Sequence, residues 1–193
     1  MQATAELGFA SIGEGGGTGY FSTLYVPAEQ PKPQFIVHRL LLDSRDASSF
    51  VDSSSAFACR FDLTATPQGA YTNVISAELK GAAVPRANGE NYCLVDIPQL
   101  SDDQLDATNA NTHNTFAVLF FDTSTLADGV VKPLRGADFY NKTVRFRPAL
   151  TRLDKLDVAI KVWDGSVLSP GTAGGANGFQ LMLELVCLNN RRF

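Results

Sequence analysis

Hydrophobic side chains recur at every second position in three segments of the chain, and this period of two limits its possible folds more than any other feature. Residues 56–63, 155–163 and 179–187 each have one apolar face and one mixed face. Such alternation places one side of a β-strand against a core and leaves the other side open. The predicted inward residues are Phe57, Cys59, Phe61 and Leu63; Leu156, Val158, Ile160 and Val162; and Phe179, Leu181, Leu183, Leu185 and Cys187.

Six further segments have the composition of strands, and turn signals separate the segments. They are residues 20–26, 34–42, 71–84, 91–97, 115–121 and 143–148. The run Phe116–Phe121 is apolar on both faces, which predicts a strand in the middle of a sandwich. The only helical signal is a capping-box pattern at Ser101–Gln104, which accounts for a single turn. The chain is therefore predicted to be all-β, an antiparallel sandwich or barrel of eight or nine short strands.

The first nineteen residues differ from the rest of the chain, because six of them are glycine. Glycine loses more conformational entropy on ordering than other residues, so this composition disfavours regular structure. We predict that residues 1–19 are a flexible arm, mobile or ordered only against a partner. Residues 20–193 are predicted to form a single folded domain, which is an ordinary domain length.

The overall composition excludes several classes of protein. Hydrophobic residues make up 45% of the chain, which excludes disorder as its general state. A net charge of -4 argues against a dedicated nucleic-acid-binding protein. No stretch approaches the roughly 18 consecutive apolar residues of a transmembrane helix, and the N-terminus lacks the pattern of a signal peptide. Charged residues are only 19%, below the roughly 25% of ordinary domains, so we expect partners to cover part of the surface.

Three cysteines, Cys59, Cys93 and Cys187, lie far apart in the sequence. An odd number at such spacings favours free thiols and a reducing compartment during folding. Cys59 and Cys187 are in phase with the predicted core residues of their strands. All three thiols are therefore predicted to be reduced and largely buried.

Side chains that perform catalysis or bind metals do not form a recognisable constellation in this sequence. His38 and His113 each lack a second ligating side chain at a suitable spacing, so we interpret His38 as a packing residue and His113 as a solvated one. Asp154 and Asp157 are three positions apart in a strand-like region, which directs them to opposite faces. We predict no catalytic, cofactor-binding or metal-binding residues and no cofactor.

Three other patterns have simpler explanations than a functional site. The segment Gly13–Gly19 lacks the Gly-Lys-Ser/Thr ending of a phosphate-binding loop and is assigned to the arm. The residues Asp102, Asp103 and Asp106 are interpreted as acids of a first helical turn rather than a calcium site. The tripeptide Asn141–Thr143 has the sequence of a glycosylation site, which a cytosolic protein does not use. An enzyme is therefore not expected.

Charged residues divide into an acidic block and a basic block. Residues 87–129 contain seven acids and no Lys or Arg, whereas residues 130–161 contain eight bases and three acids. In one interpretation the blocks are two edges of one domain and pair within it. In the other they meet on neighbouring copies, where complementary charge sets the register. A nucleic-acid-binding patch is the weakest of the three alternatives.

Several segments, taken in order, resemble a known family. The most specific is Phe146–Gly165, in which Pro-x-Leu-x-x-Leu-x-x-Leu precedes a strand and an Asp-Gly turn. The others are Leu40–Asp46 with its Asp-Ser-Arg-Asp sequence, the strand 56–63, and the runs Asn73–Pro85, Asn91–Ile97, Phe116–Phe121 and Phe179–Leu188. Their order resembles that of the single jelly-roll penton and minor capsid proteins of nucleocytoplasmic large DNA viruses, of the chlorovirus kind.

This resemblance implies a single jelly-roll antiparallel β-sandwich of about eight strands that follows the glycine-rich arm. It implies a structural capsid protein of a large icosahedral double-stranded DNA virus, as the penton subunit that forms homopentamers at the five-fold vertices. The implied partners are the major capsid protein and other minor capsid proteins, near an internal viral membrane and without direct contact to nucleic acid. The implied location is the virion, after synthesis and assembly in the host cytoplasm.

Three alternative functions remain open from the sequence. The first is another minor capsid, or cement, protein of the same virion. The second is a β-sandwich carbohydrate-binding module, which uses exposed Trp or Tyr rings to stack on sugars; here the single tryptophan, Trp163, ends a predicted strand. A hydrolytic enzyme on the same scaffold is a third and weaker alternative.

Overall fold

The segments with a period of two form β-strands in a computed structural model of the chain. The structure describes residues 33–51, 55–86, 90–101, 115–121, 130–140, 143–169 and 178–189. The strands are β1 (Gln34–Asp43), β2 (Ser49–Phe50), β3 (Ala58–Asp62), β4 (Tyr71–Pro85), β5 (Tyr92–Asp96), β6 (Ala117–Phe120), β7 (Val131–Leu134), β8 (Phe139–Tyr140), β9 (Val144–Leu153), β10 (Lys155–Lys161) and β11 (Gln180–Asn189). Short 3-10 turns cover Ser44–Asp46, Leu63–Ala65 and Gly136–Asp138.

Two antiparallel sheets contain all of these strands. Sheet 1 has the order β1-β11-β4-β7, and β9 also pairs with β4. Sheet 2 has the order β2-β3-β10-β5-β6-β8. The pairs β1–β11, β3–β10, β4–β9 and β5–β6 are nested, so that the first strand pairs with the last and each later strand with one nearer the centre of the chain. This is the pattern of a long hairpin wrapped into two facing sheets, which is a jelly roll.

The inward faces predicted from the alternation form the core between the two sheets. All of the predicted inward residues of segments 56–63, 155–163 and 179–187 are buried. Phe179 lies between two other predicted core rings, with centroid distances of 6.2 Å to Phe57 and 6.4 Å to Phe61. The predicted fold class, an all-β jelly-roll sandwich, is therefore confirmed.

The prediction for Phe116–Phe121 is wrong in one respect. Strand β6 lies second from the edge of sheet 2, between β5 and the two-residue strand β8. Phe120 is 49% exposed on the outer face of this sheet, beside the ring of Tyr92. Apolar residues on both faces indicated a central position, but the order of the strands depends on tertiary pairing. The short strands β2, β7 and β8 are absent from the sequence prediction.

All described strands belong to one compact unit that begins at Gln34. The predicted arm over residues 1–19, the predicted strand 20–26 and the predicted start of the domain at Tyr20 lie outside the described residues. The same holds for the capping box beyond Ser101. Its partner positions 102–104 fall in the undescribed stretch 102–114.

The Asp-Ser-Arg-Asp sequence connects the end of β1 to the start of β11. The carboxylate of Asp43 accepts hydrogen bonds from the backbone N–H of Arg45 at 3.0 Å and from Gln180 Nε2 at 2.6 Å, and it forms an ion pair with the Arg45 guanidinium. Ser44 donates its N–H to the Phe179 carbonyl at 3.0 Å, and its Oγ accepts the Phe179 N–H at 2.9 Å. We call Asp43–Asp46 the clasp, because it fixes two chain segments that are distant in sequence.

Gly178 allows this close approach. A Cβ atom at position 178 would lie 2.2 Å from Ser44 Oγ. We expect Gly178→Ala to break the hydrogen bond between Ser44 and Phe179 and to lower the free energy of unfolding by about 1–3 kcal/mol, measured by urea denaturation. Gly81→Ala is the matched control, since its new Cβ would meet its nearest neighbour at an ordinary 3.8 Å. Equal stability of the Gly178→Ala variant and the wild type would contradict the role of this glycine.

The charge of Asp43 makes the clasp dependent on pH. Hydrogen bonds from the Arg45 side chain, followed by those from the Arg45 backbone and Gln180, hold the pKa of Asp43 well below its usual range, although burial acts in the opposite direction. A carboxyl whose pKa is depressed by folding stabilises the fold above its unfolded pKa of about 3.9, and this stabilisation is lost as the pH falls towards the folded pKa.

We expect Asp43→Asn to lower the free energy of unfolding by about 1–3 kcal/mol at pH 7, and we expect the difference from the wild type to shrink as the pH falls from about 5 towards 2. Denaturant titrations across this pH range measure the difference in the free energy of unfolding between the variant and the wild type. Asp62→Asn is the matched control, because Asp62 caps the next 3-10 turn through Thr64 but is exposed, so its effect should be smaller. A difference that stays constant down to pH 2 would show that the charge of Asp43 contributes nothing.

Candidate interaction surfaces

Three of the acidic and imidazole side chains singled out from the sequence, Asp154, Asp157 and His38, lie among the described residues and have structural partners there. Asp157 accepts hydrogen bonds from Arg60 at 2.6 and 3.1 Å and from Gln99 at 3.0 Å, and these contacts lower its pKa. The carboxylate of Asp154 lies 3.3 Å from the guanidinium of Arg152 instead. Asp154 and Asp157 therefore do not share a site. The ring of His38 contacts the edge of Tyr71 at a centroid distance of 5.1 Å, which confirms its packing role.

The three cysteines are free and buried, as predicted. Burial raises the pKa of Cys59 to about 11 and also raises the pKa values of Cys93 and Cys187. A thiol is a poor nucleophile when its pKa lies so far above neutral pH, because the thiolate is the reactive form. These residues therefore act as small core side chains.

The predictions about metal sites and transmembrane helices can be compared with the described residues only. Among the described residues, no three His, Cys, Asp or Glu side chains come close enough together to hold a metal ion. The segment Gly13–Gly19, His113, the group of Asp102, Asp103 and Asp106, and Asn141 all lie outside those residues. No helix within the described ranges has the length and apolar character needed to cross a lipid bilayer.

The outer face of sheet 1 carries apolar side chains in rows across the strands. One row runs from Leu41 to Met182 and Gly81, where Leu41 and Met182 are 61% and 42% exposed. This row borders an open cleft of about 340 Å³ that extends to Pro133 on β7. A second row begins at Val37, which is 55% exposed and lies opposite Val186.

A charged row separates the two apolar rows. The guanidinium of Arg39 lies 3.5 Å from the Glu184 carboxylate. The same carboxylate lies 3.7 Å from the Lys80 ammonium group, which also forms an ion pair with Glu78. These charges are balanced, two of each sign, so the outer face of sheet 1 combines exposed apolar area with little net charge. Such exposed apolar area is typical of surfaces that contact other proteins.

The two edges of sheet 1 differ in chemistry. At one edge β1 pairs, among described residues, with β11 alone, and its first half exposes Phe35, Ile36 and Val37 in succession. At the other edge β9 exposes Arg145 and Arg147. The sequence had indicated a strand at 34–42 but not this exposure. No local signal reveals it, because a run of apolar residues without alternation, as at 35–37, also occurs in strands that are buried on both faces.

Sheet 2 also exposes apolar side chains, several of them aromatic. Tyr92 and Phe120 lie on paired strands with ring centroids 6.4 Å apart. Tyr140 on the neighbouring strand β8 is 53% exposed. Trp163, next to the Asp164–Gly165 turn, is also exposed but lies elsewhere on the chain.

The described part of the chain bears on both interpretations of the charge blocks. Lys161 of the basic block forms an ion pair with Asp96 of the acidic block, so pairing within one domain accounts for these two residues. The side chains of Arg145 and Arg147 have no ion pair or hydrogen bond with any described residue. Five of the seven acids, namely Asp102, Asp103, Asp106, Asp122 and Asp128, lie outside the described residues.

Comparison with known proteins adds one distant likeness. No protein-family model matches the chain, and no curated protein matches it. Among solved structures, the chain is similar to a crystal structure of Israel acute paralysis virus, with 11% sequence identity and a TM-score of 0.20 over 82% of this chain and 73% of that one. A TM-score this low carries no argument about fold or function, so the jelly-roll assignment depends on the order and pairing of the strands.

Proposed function

We propose that the protein is a structural capsid subunit of a large icosahedral double-stranded DNA virus, acting as the penton that forms pentamers at the five-fold vertices. A jelly roll alone does not give a function, since the fold also occurs in lectins and cupins. One observation carries the proposal. Each sequence segment that resembles the capsid family corresponds, in the same order, to a strand of the nested jelly-roll pairing or to the clasp that follows β1.

The most specific segment of that resemblance has a clear structural role. Phe146–Gly165 covers most of β9, all of β10 and the turn that follows, which is where the chain crosses from sheet 1 to sheet 2. Its three regularly spaced leucines contact the core, with Leu153 and Leu156 buried and Leu150 packed against them. The pattern therefore supports the crossover between sheets that a jelly roll of this family requires.

The proposed role involves no catalysis. Two carboxylates support it by having structural partners, Asp43 in the clasp and Asp157 between Arg60 and Gln99. The exposed apolar rows of sheet 1, including Leu41 and Met182, support contacts with other capsid proteins. The proposed partners are further copies of this chain, the major capsid protein and other minor capsid proteins. The proposed location is the virion, after assembly in the host cytoplasm near the internal membrane.

Measurement of the assembly state tests this proposal. We expect the purified full-length chain to form rings of five subunits, seen as a pentamer mass by light scattering after size-exclusion chromatography and as rings by negative-stain electron microscopy. A chain that stays monomeric and binds neutral sugars would instead support the carbohydrate-binding alternative. In a map of intact particles, density away from the five-fold vertices would support another minor capsid role.

Removal of the glycine-rich arm tests its proposed role in assembly. Residues 1–19 have few apolar side chains to offset the entropy of ordering, roughly 1–2 kcal/mol per residue. We expect deletion of residues 1–19 to leave the Tm nearly unchanged and to weaken ring formation, measured by calorimetry and light scattering. A large fall in the Tm would show that the arm belongs to the folded core.

A further inference from the structure

An open cleft of about 380 Å³ lies against the first half of β1, the start of β4 and the end of β11. Its lining includes Ile36 and His38 of β1 and Tyr71 and Asn73 of β4. Ile36 and His38 alternate with their neighbours in phase with Leu40, which is buried in the core, so these three residues share the inner face of sheet 1. Ile36 is nevertheless 42% exposed. The cleft is therefore a part of the inner face that the described residues leave uncovered.

Polar side chains in this cleft have no hydrogen-bond partner among the described residues. Tyr71 is 5% exposed, and its ring centroid lies 5.1 Å from that of His38, but its hydroxyl forms no hydrogen bond within the described ranges. Every fully buried side-chain oxygen or nitrogen in those ranges does have a partner. The hydroxyl of Tyr71 is therefore not sealed in the core but reaches the cleft that the residue lines. The amide of Asn73 also lacks a hydrogen bond with the described part of the chain.

The backbone at Asn73 has an unusual conformation. Its φ is +54°, and no other non-glycine residue in the described ranges has a positive φ. The ladder between β4 and β11 also shifts its register close by, between Val186 and Cys187, where Cys187 pairs with Val74. Irregularities of this kind redirect side chains and are frequent next to binding sites. Here they accompany the placement of the Asn73 side chain in the lining of the cleft.

The chemistry of the lining favours a neutral ligand with several hydroxyl groups. No described residue that lines the cleft is Asp, Glu, Lys or Arg, so the cleft lacks the side chains that pair most strongly with phosphates and carboxylates. The Tyr71 hydroxyl and the amides of Asn73 and Gln68 can each donate and accept hydrogen bonds, as the hydroxyl groups of a sugar do. The exposed part of Ile36 provides apolar surface for C–H groups. A concave site with a few convergent polar groups and an apolar wall is typical of small-molecule sites.

We propose that this cleft binds a neutral sugar. The sugar hydroxyl groups form hydrogen bonds with Tyr71 and Asn73, and the C–H groups of its ring pack against Ile36. A free monosaccharide and the terminal unit of a glycan offer the same hydrogen-bonding groups to such a cleft. This inference goes beyond the proposed capsid function and does not depend on it.

Titration with small sugars tests the proposal. The probes are the methyl glycosides of mannose, glucose, galactose and N-acetylglucosamine, added to the full-length chain and followed by saturation-transfer NMR, which suits a large assembly. We expect saturable binding of at least one of them. A disaccharide with the same unit at its non-reducing end distinguishes the two sources: equal or tighter binding indicates the end of a glycan, and tenfold weaker binding indicates a free monosaccharide. Inorganic phosphate and N-acetylneuraminic acid are the charged probes, and we expect neither to compete.

Two variants assign the binding to this cleft. Tyr71→Phe removes the hydroxyl and keeps the buried ring, and Asn73→Gly removes the amide while glycine readily adopts the positive φ. We expect each variant to weaken sugar binding about tenfold, the effect of one lost hydrogen bond, with a nearly unchanged Tm. Tyr140→Phe is the matched control, because Tyr140 is an exposed tyrosine on sheet 2, and it should bind sugar like the wild type.

Several results would overturn the proposal. These are the absence of saturable binding for all four glycosides, equal binding by the wild type and both cleft variants, and tighter binding of phosphate or N-acetylneuraminic acid than of every neutral sugar. A lower Tm of Asn73→Gly without weaker binding would show that Asn73 only shapes the strand.

The outcome is separable from that of the capsid proposal. Rings of five subunits that bind no neutral sugar would overturn this inference alone. A monomeric chain that binds a sugar through Tyr71 and Asn73 would overturn the capsid function and leave the site in place.

Discussion

Ten residues of β1 pair with ten residues of β11, and this ladder joins the first described strand to the last. Its end contacts connect residues 155 positions apart, Gln34 and Asn189, and 137 positions apart, Asp43 and Gln180. The other nested pairs lie between these strands in the chain, so the β1–β11 ladder is the outermost pair of the nested set. Contacts between residues so distant in sequence cost loop entropy before they stabilise anything, and folds dominated by them form slowly.

The clasp lies at the point where this ladder ends. Asp43 and Ser44 hold the backbone at Phe179 and the side chain of Gln180, while Phe179 itself fills the core between Phe57 and Phe61. A polar anchor at Phe179 and Gln180 and an apolar anchor at Phe179 therefore act together where β11 begins. The Asp-Ser-Arg-Asp sequence therefore has a structural role in this chain, at the junction of its first and last described strands.

The sequence allowed the inward faces to be predicted but not the neighbours of each strand. Alternation at Leu156, Val158 and Ile160 follows from burial of one face, which is a local property and is visible in the residues themselves. The position of β6 second from the edge of sheet 2 and the pairing of Lys161 with Asp96 depend on which strands become adjacent. A single sequence does not encode that adjacency in any local pattern. The exposed apolar surfaces were predicted least well. In the sequence, an apolar residue that a partner protein covers looks the same as an apolar residue of the core.

The two edges of sheet 1 show how unequal surfaces restrict the possible assemblies. One edge exposes Phe35, Ile36 and Val37, and the other exposes Arg145 and Arg147. A two-fold contact of the β9 edge with itself would bring arginines against arginines, which like-charge repulsion opposes. A head-to-tail contact avoids this repulsion, because the β9 edge of one copy then meets a different surface of the next copy. Closure of that contact into a ring, rather than growth into a filament, then depends on the rotation between copies.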